Sequence, residues 1–175
     1  MNYDEPNTTG NEHVLLVLGD FLYSWYNYEH YVAVNDKQGI ADVPDIINPL
    51  DLEYYSDDIK KLYEHLINYL RAVLGDGISS SKLKRYFQIG YFHKNDDGSI
   101  SGEIKEEDFN RIINSSDYRD MLYFLLFITT KVRHRTFHGG KESPESQLEL
   151  FEICTSVLQL MTNIKYYGRN YYVQY

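Results

Sequence analysis

The residues with the clearest chemical capacity lie in one short segment, from Arg133 to Lys141. These nine positions hold two arginines, two histidines and a lysine, in a chain whose formal net charge is -9. Arginine offers a planar fork of donors that fits phosphate oxygens, and histidine gives or takes a proton near neutral pH. The segment therefore suits chemistry on a phosphodiester. It also suits a plain helix end, where the helix dipole stabilises cations.

The composition limits the partners of this segment. A net charge of -9 over 175 residues argues against a general nucleic-acid coat, which needs a broad basic surface. One cleft can still carry the opposite sign. The single cysteine, Cys154, lies in an apolar helical pattern and is expected to be a buried filler. Residues 1–11 lack a secretory signal, and the longest apolar run, Met121 to Ile128, is too short to span a membrane. We therefore expect a cytoplasmic protein without a membrane partner.

Hydrophobic periodicity predicts the helices that must position the segment. The predicted helices cover residues 13–34, 56–75, part of 79–92, 106–113, a long stretch from Ser116 or Asp117 to Gly139, and a last helix opened by Ser143 and Pro144. Ser56 is the expected cap of the second helix, and residues 35–55 read as a connecting loop. These patterns predict an all-α fold, a bundle of four to five helices with an irregular middle excursion. One domain is expected over 1–175, with 1–11 flexible and a tyrosine-rich tail at 166–175 that docks or frays.

The segment resembles the R-x4-6-H motif of the HEPN superfamily, in which four to six residues, the first of them usually polar, separate an arginine from a histidine. Arg133 and His138 match the two invariant positions, and His134 matches the usual polar residue. The motif of that family lies near the start or end of a late helix in an all-α bundle, with one more helix after it. The predicted helical layout over residues 13–164 agrees with that arrangement, so we expect the fold to be HEPN-like.

The resemblance implies a homodimer whose two motifs face each other across a cleft. Many HEPN proteins are metal-independent endoribonucleases that act as bacterial toxins or antiviral-defence effectors. The implied partners are therefore an RNA substrate, a second copy and, for a toxin, a neutralising antitoxin or partner protein, with no cofactor. The catalytic candidates are His138 as acid/base, Arg133 as phosphate clamp and His134 as an orienting group. Arg135 and Lys141 are candidate substrate-binding residues.

The resemblance also leaves an alternative open. Some relatives carry a tyrosine two residues after the histidine, where nucleotidyltransferases modify it; this chain has Gly140 there, which puts that control in doubt. Other relatives have lost catalysis and serve as dimers that bind a nucleotide, RNA or protein partner. The acidic net charge makes this second function more credible for this chain.

Two patterns in the sequence resemble metal sites, but neither has a complete set of ligands. His134 and His138 are spaced as metal ligands on a helix can be, but no nearby cysteine or carboxylate completes a zinc set. Residues 93–104 contain a turn like a calcium loop, yet His93 and Ile104 stand where acidic oxygen donors are needed. The expected metal content of the site is therefore none.

Overall fold

The computed structural model describes residues 8–33, 47–75, 77–87, 106–137 and 144–167. Within these ranges the chain is all-α, with seven α-helices and no strand. The helices are α1 (Thr8–Tyr28), α2 (Pro49–Tyr54), α3 (Ser56–Leu74), α4 (Ser80–Tyr86), α5 (Glu106–Ile113), α6 (Tyr118–Phe137) and α7 (Leu148–Tyr167). A π-helical turn, Glu29–Ala33, continues α1, and a 3-10 turn, Pro144–Gln147, precedes α7. The predicted all-α class is confirmed, whereas the predicted count of four or five helices is too low.

The four long helices form the bundle. Helix α1 packs along α7, α3 packs along α6, and α7 also contacts both α3 and α6. Phe21 of α1 and Phe151 of α7 meet with ring centroids 5.3 Å apart, and Tyr63 of α3 meets Phe124 of α6 at 5.9 Å. Helix α6 contacts α2, α3, α5 and α7, so its apolar middle is covered on several sides, as its sequence predicts.

Helix α2 lies in a stretch that the sequence assigns to a loop. Its start is fixed by Asn48, whose side-chain oxygen accepts a hydrogen bond from the Leu50 N–H at 3.0 Å, and by Pro49 at the first helical position. Helix α3 begins one residue after Tyr55, whose N–H donates to the Asp51 carbonyl at 3.1 Å. The expected cap by Ser56 is wrong, because α2 runs almost directly into α3 and Ser56 is already helical.

Other boundaries follow the expected local signals. The Ser79 hydroxyl accepts from the Lys82 N–H at 3.3 Å and caps α4, and the Asp117 carboxylate accepts from the Arg119 N–H at 2.7 Å at the start of α6. Pro144 opens the 3-10 turn rather than α7 itself. Residues 1–7 of the expected flexible start, the calcium-like turn and most of the tyrosine-rich tail lie outside the described residues, whereas residues 8–11 belong to α1. No helix among the described ranges is long and apolar enough to cross a lipid bilayer.

Phe21→Ala should lower the free energy of unfolding by about 3–5 kcal/mol, because it removes a fully buried ring from the α1–α7 interface and leaves a cavity. Urea unfolding followed by circular dichroism measures the change. Leu50→Ala, at an exposed position of α2, is the matched control and should stay within about 1 kcal/mol of the unmodified chain. A Phe21 variant as stable as this control would contradict the α1–α7 packing.

Candidate functional site

The final turns of α6 carry three of the predicted site residues. Arg133, His134 and Arg135 are helical, and α6 ends at Phe137. His134 is exposed, Arg133 is half-buried and Arg135 is buried. His138 and Lys141, the other two predicted site residues, lie outside the described residues. The cationic end of α6 is favoured by the helix dipole, which stabilises positive charge at a C-terminus.

Arg133 reaches across to the end of α1. Its Nη2 atom lies 3.7 Å from Oε1 of Glu29, in the first position of the π-helical turn. Its Cζ atom lies 5.3 Å from the ring centroid of Trp25, close enough for a cation–π contact. The side chains of Arg133 and Glu29 remain 37% and 45% exposed. The arginine is thus oriented by two residues of α1 and its π turn, while part of its guanidinium still faces solvent.

The Trp25 ring under Arg133 packs against a second aromatic residue, Tyr28. Trp25 and Tyr28 are both buried, with ring centroids 5.9 Å apart, and burial raises the pKa of the Tyr28 hydroxyl. Neither Trp25 Nε1 nor the Tyr28 hydroxyl is hydrogen-bonded to any described residue. Buried aromatic rings lower the local dielectric constant. This strengthens the attraction between the adjacent guanidinium and an anion that binds to it.

Arg135 lies on a different side of α6 from Arg133. Only 6% of this residue is exposed, and its Cζ atom lies 5.0 Å from the ring centroid of Tyr86 in α4. The Tyr86 hydroxyl is 3.0 Å from that of Tyr69 in α3, which ties three helices together. Residues two positions apart point about 200° apart around an α-helix. The compact cationic cluster suggested by the sequence is therefore split, with Arg133 facing α1 and Arg135 facing α4.

Lys131 is a further basic residue at this end of α6 and lies outside the predicted site. It precedes Arg135 by one helical turn, and its Nζ atom lies 4.9 Å from the ring centroid of Phe127. Burial lowers the pKa of the Lys131 ammonium to about 8. The four-residue spacing of Lys131 and Arg135 is visible in the sequence and could have indicated that both share one face of the helix.

Neither the cysteine nor the possible metal ligands of the described residues form a second reactive site. Cys154 is buried, and burial raises the pKa of its thiol to about 12, with a hydrogen bond to Thr129 acting in the opposite direction. The neutral thiol fits the predicted role of core filler. Among the described residues, no group of three or more histidine, cysteine, aspartate or glutamate side chains is arranged to hold a metal ion.

Comparisons of the chain with known proteins return no relative. No family model, curated protein or solved structure matches it.

Lys131→Met should raise the free energy of unfolding at pH 7, because it replaces a partly buried ammonium with an apolar side chain of similar length. The folded chain binds fewer protons than the unfolded chain between the lowered pKa of about 8 and the ordinary value of 10.5. The stability of the unmodified chain should therefore rise with pH across this window, and the advantage of the variant should shrink.

Urea midpoints measured from pH 7 to pH 10 test this expectation. Lys60→Met, at an exposed position of α3, is the matched control and should show no such closing gap. A constant difference between the Lys131 variant and the unmodified chain at every pH would contradict the predicted burial of the ammonium.

Proposed function

We propose that the chain is a HEPN-type, metal-independent endoribonuclease that acts as a homodimer, in the manner of a bacterial toxin or antiviral-defence effector. The observation that supports the proposal best is the position of Arg133. It lies in the last turns of α6, with one long helix still to follow, and its half-exposed guanidinium is oriented over Trp25. This layout agrees with the place of the arginine in the HEPN motif.

The proposed reaction is an internal transesterification of RNA. The 2′-oxygen attacks the adjacent phosphorus, the bond from phosphorus to the 5′-oxygen breaks, and a 2′,3′-cyclic phosphate remains. His138 takes the proton from the 2′-hydroxyl or supplies one to the leaving 5′-oxygen. Arg133 stabilises the negative charge that develops on the non-bridging oxygens. The exposed imidazole of His134, next to Arg133 on α6, orients the phosphate or His138.

The basic residues around the motif divide between two tasks. Lys141 remains a predicted contact to the RNA backbone. Arg135 is shielded from solvent on Tyr86, so any effect it has on substrate is electrostatic and comes from the other side of α6. Lys131, one turn earlier on the same side, adds to this positive potential. A local field of this kind offsets part of the repulsion that a chain of net charge -9 exerts on RNA.

The second candidate is a non-catalytic HEPN-type dimer that binds a nucleotide, RNA or protein partner. One observation favours it: Arg133 already has an acidic neighbour, Glu29, at 3.7 Å and a stacking partner in Trp25. An arginine held in this way can serve the junction of α1 and α6 without taking part in a reaction. RNA cleavage separates the two candidates, because only the nuclease changes the covalent state of its ligand.

His138→Ala and Arg133→Ala should each reduce RNA cleavage by at least about a hundredfold, because each removes a group that acts on the transition state. The purified protein is incubated with a mixed set of RNAs in EDTA, and products are read by gel and mass spectrometry. The unmodified chain should leave 2′,3′-cyclic phosphate ends.

Two replacements outside the motif are the matched controls. His65→Ala and Arg71→Ala change exposed residues of α3 and should leave the cleavage rate within about twofold. Circular dichroism should be the same for all four variants. Full activity of the His138 variant would refute its role. The absence of cleavage by every form, with light scattering still showing a dimer, would favour the binding function.

A further inference from the structure

Glu29 is a carboxylate that the structure brings against the motif, and the nuclease reaction as described gives it no task. Its Oε1 atom lies 3.7 Å from Nη2 of Arg133. That separation is too long for a hydrogen bond, so the two groups form a loose ion pair. The Glu29 side chain is 45% exposed. An acidic group thus lies partly in solvent, beside the guanidinium that is proposed to bind an RNA phosphate.

The backbone holds Glu29 in place while its side chain stays accessible. Glu29 is the first residue of the π-helical turn, and α7 packs against this turn. Tyr28 before it and Val32 after it are 0% and 1% exposed, so both are anchored in the core. Single π-helical turns occur frequently at functional sites. The carboxylate is therefore presented to solvent from a firmly packed part of the fold.

The proposed transesterification needs two groups that transfer protons. One proton leaves the 2′-hydroxyl, and another reaches the departing 5′-oxygen. In an in-line displacement these two oxygens lie on opposite sides of the phosphorus, so one side chain cannot serve both at once. His138 is proposed to serve one of them, which leaves the other without a group.

We propose that Glu29 is the general base of this reaction, an inference that rests on the proposed nuclease function. As the 2′-oxygen forms its bond to phosphorus, its proton passes to the Glu29 carboxylate. The bond from phosphorus to the 5′-oxygen breaks, and that oxygen takes a proton from His138. The step leaves a 2′,3′-cyclic phosphate, a 5′-hydroxyl, a protonated Glu29 and a neutral His138. Proton exchange with solvent then restores both side chains.

The lengths around Arg133 suit this transfer. A phosphate oxygen bound to the guanidinium lies about 3 Å from one of its nitrogens, and Oε1 of Glu29 is 3.7 Å from Nη2. The 2′-oxygen of a nucleotide that is ready to react lies about 3–3.5 Å from the phosphorus. A carboxylate and a 2′-hydroxyl beside the same guanidinium therefore come within hydrogen-bond distance after a small rotation of the Glu29 side chain.

The change of charge during the reaction also favours Glu29. Before the reaction its carboxylate repels the phosphate, and Arg133 attracts both. When the proton moves, Glu29 loses its negative charge while negative charge develops on the phosphate. The repulsion thus falls as the transition state forms, and Arg133 is left to the phosphate alone. Interactions that improve only in the transition state are those that raise the rate.

The neighbouring histidines are less well placed for the same task. His30 stacks on Tyr26, with the two ring planes 5° apart. Successive residues point roughly 100° apart around a helix, so His30 is turned from the side on which Glu29 meets Arg133. His134 is turned from Arg133 by the same angle on α6. The measured proximity to the guanidinium therefore selects the carboxylate.

Glu29→Gln separates a base from a structural partner of Arg133. The amide oxygen still accepts a hydrogen bond from the guanidinium, but it does not take the proton of a 2′-hydroxyl. The kcat for RNA cleavage should fall by about a hundredfold or more. Binding of a 2′-deoxy oligonucleotide, which cannot react, should be at least as tight as in the unmodified chain, because a negative charge beside the phosphate is gone. Cleavage assays and fluorescence anisotropy measure the two quantities.

Glu12→Gln makes the same change at an exposed position about 25 Å earlier along α1 and is the matched control. It should leave cleavage and binding within about twofold, and so should His30→Ala. Circular dichroism should be the same for all variants, because a long, exposed ion pair adds little stability. Cleavage by Glu29→Gln at the control rate would overturn the proposal. Weaker oligonucleotide binding at an unchanged kcat would overturn it too, since Glu29 would then only hold Arg133.

Chemical rescue identifies a proton acceptor directly. Glu29→Ala leaves room beside Arg133 for a small carboxylate. Added formate should raise the cleavage rate of this variant by about tenfold or more, and should not raise the rate of Arg133→Ala. Sodium chloride at the same ionic strength is the control, because it screens charges equally without accepting a proton. A rate in formate no higher than in chloride would contradict the role of base.

An RNA with sulfur in place of the 5′-oxygen distinguishes a base from an acid. A thiolate leaves without being protonated, because a thiol is a far stronger acid than an alcohol. His138→Ala should cleave this RNA at nearly the unmodified rate, whereas Glu29→Gln should remain about a hundredfold slower. The full rate in Glu29→Gln would assign Glu29 to the leaving group and overturn its role as base.

The same assays distinguish this inference from the function on which it rests. If the unmodified chain cleaves neither RNA, the nuclease function fails and the general base fails with it. If the unmodified chain cleaves RNA and every Glu29 variant cleaves it equally well, only the general base fails.

Discussion

The burial of α6 is the constraint on which the rest of the structure depends. Its middle is apolar on nearly every side, so it is stable only when other helices surround it. Helices α2, α3, α5 and α7 supply that cover, and α1 completes the bundle by packing on α7. The same helix ends in a run of basic residues that cannot be buried together without compensation. The bundle therefore has an apolar centre and one cationic end, and the position of that end follows from the packing of the centre.

The two arginines at this end of α6 are accommodated in two different ways. Arg133 keeps part of its guanidinium in solvent and rests on Trp25 beside a carboxylate. Arg135 is almost fully buried and rests on Tyr86, which is itself linked to Tyr69. Aromatic faces serve both residues because a ring attracts a cation without demanding a second charge. Only the first of the two remains accessible to a ligand, although the sequence analysis predicts a substrate contact for both.

Much of the fold could be predicted because its signals are local. The apolar stripe of α3, the cap at Ser79 and the acidic start of α6 at Asp117 depend on residues a few positions apart. The periodicity of the sequence does not indicate α2, because that helix has only six residues and a single buried one, although Asn48 and Pro49 carry a start signal. The site was harder. The contacts of Arg133 with Trp25 and Glu29 join distant parts of the chain, and no spacing in the sequence encodes them.

The pairing of Arg133 with Glu29 has a consequence for selectivity. In the proposed nuclease, the Glu29 carboxylate competes with an RNA phosphate for the Arg133 guanidinium. The pair is long and partly exposed, and such pairs contribute about 0–1 kcal/mol. A singly charged ligand would gain little by replacing one carboxylate with another. A polyanion that also engages neighbouring cations would displace Glu29 readily. The threshold set by one glutamate would thus make the site respond to the density of negative charge rather than to charge alone.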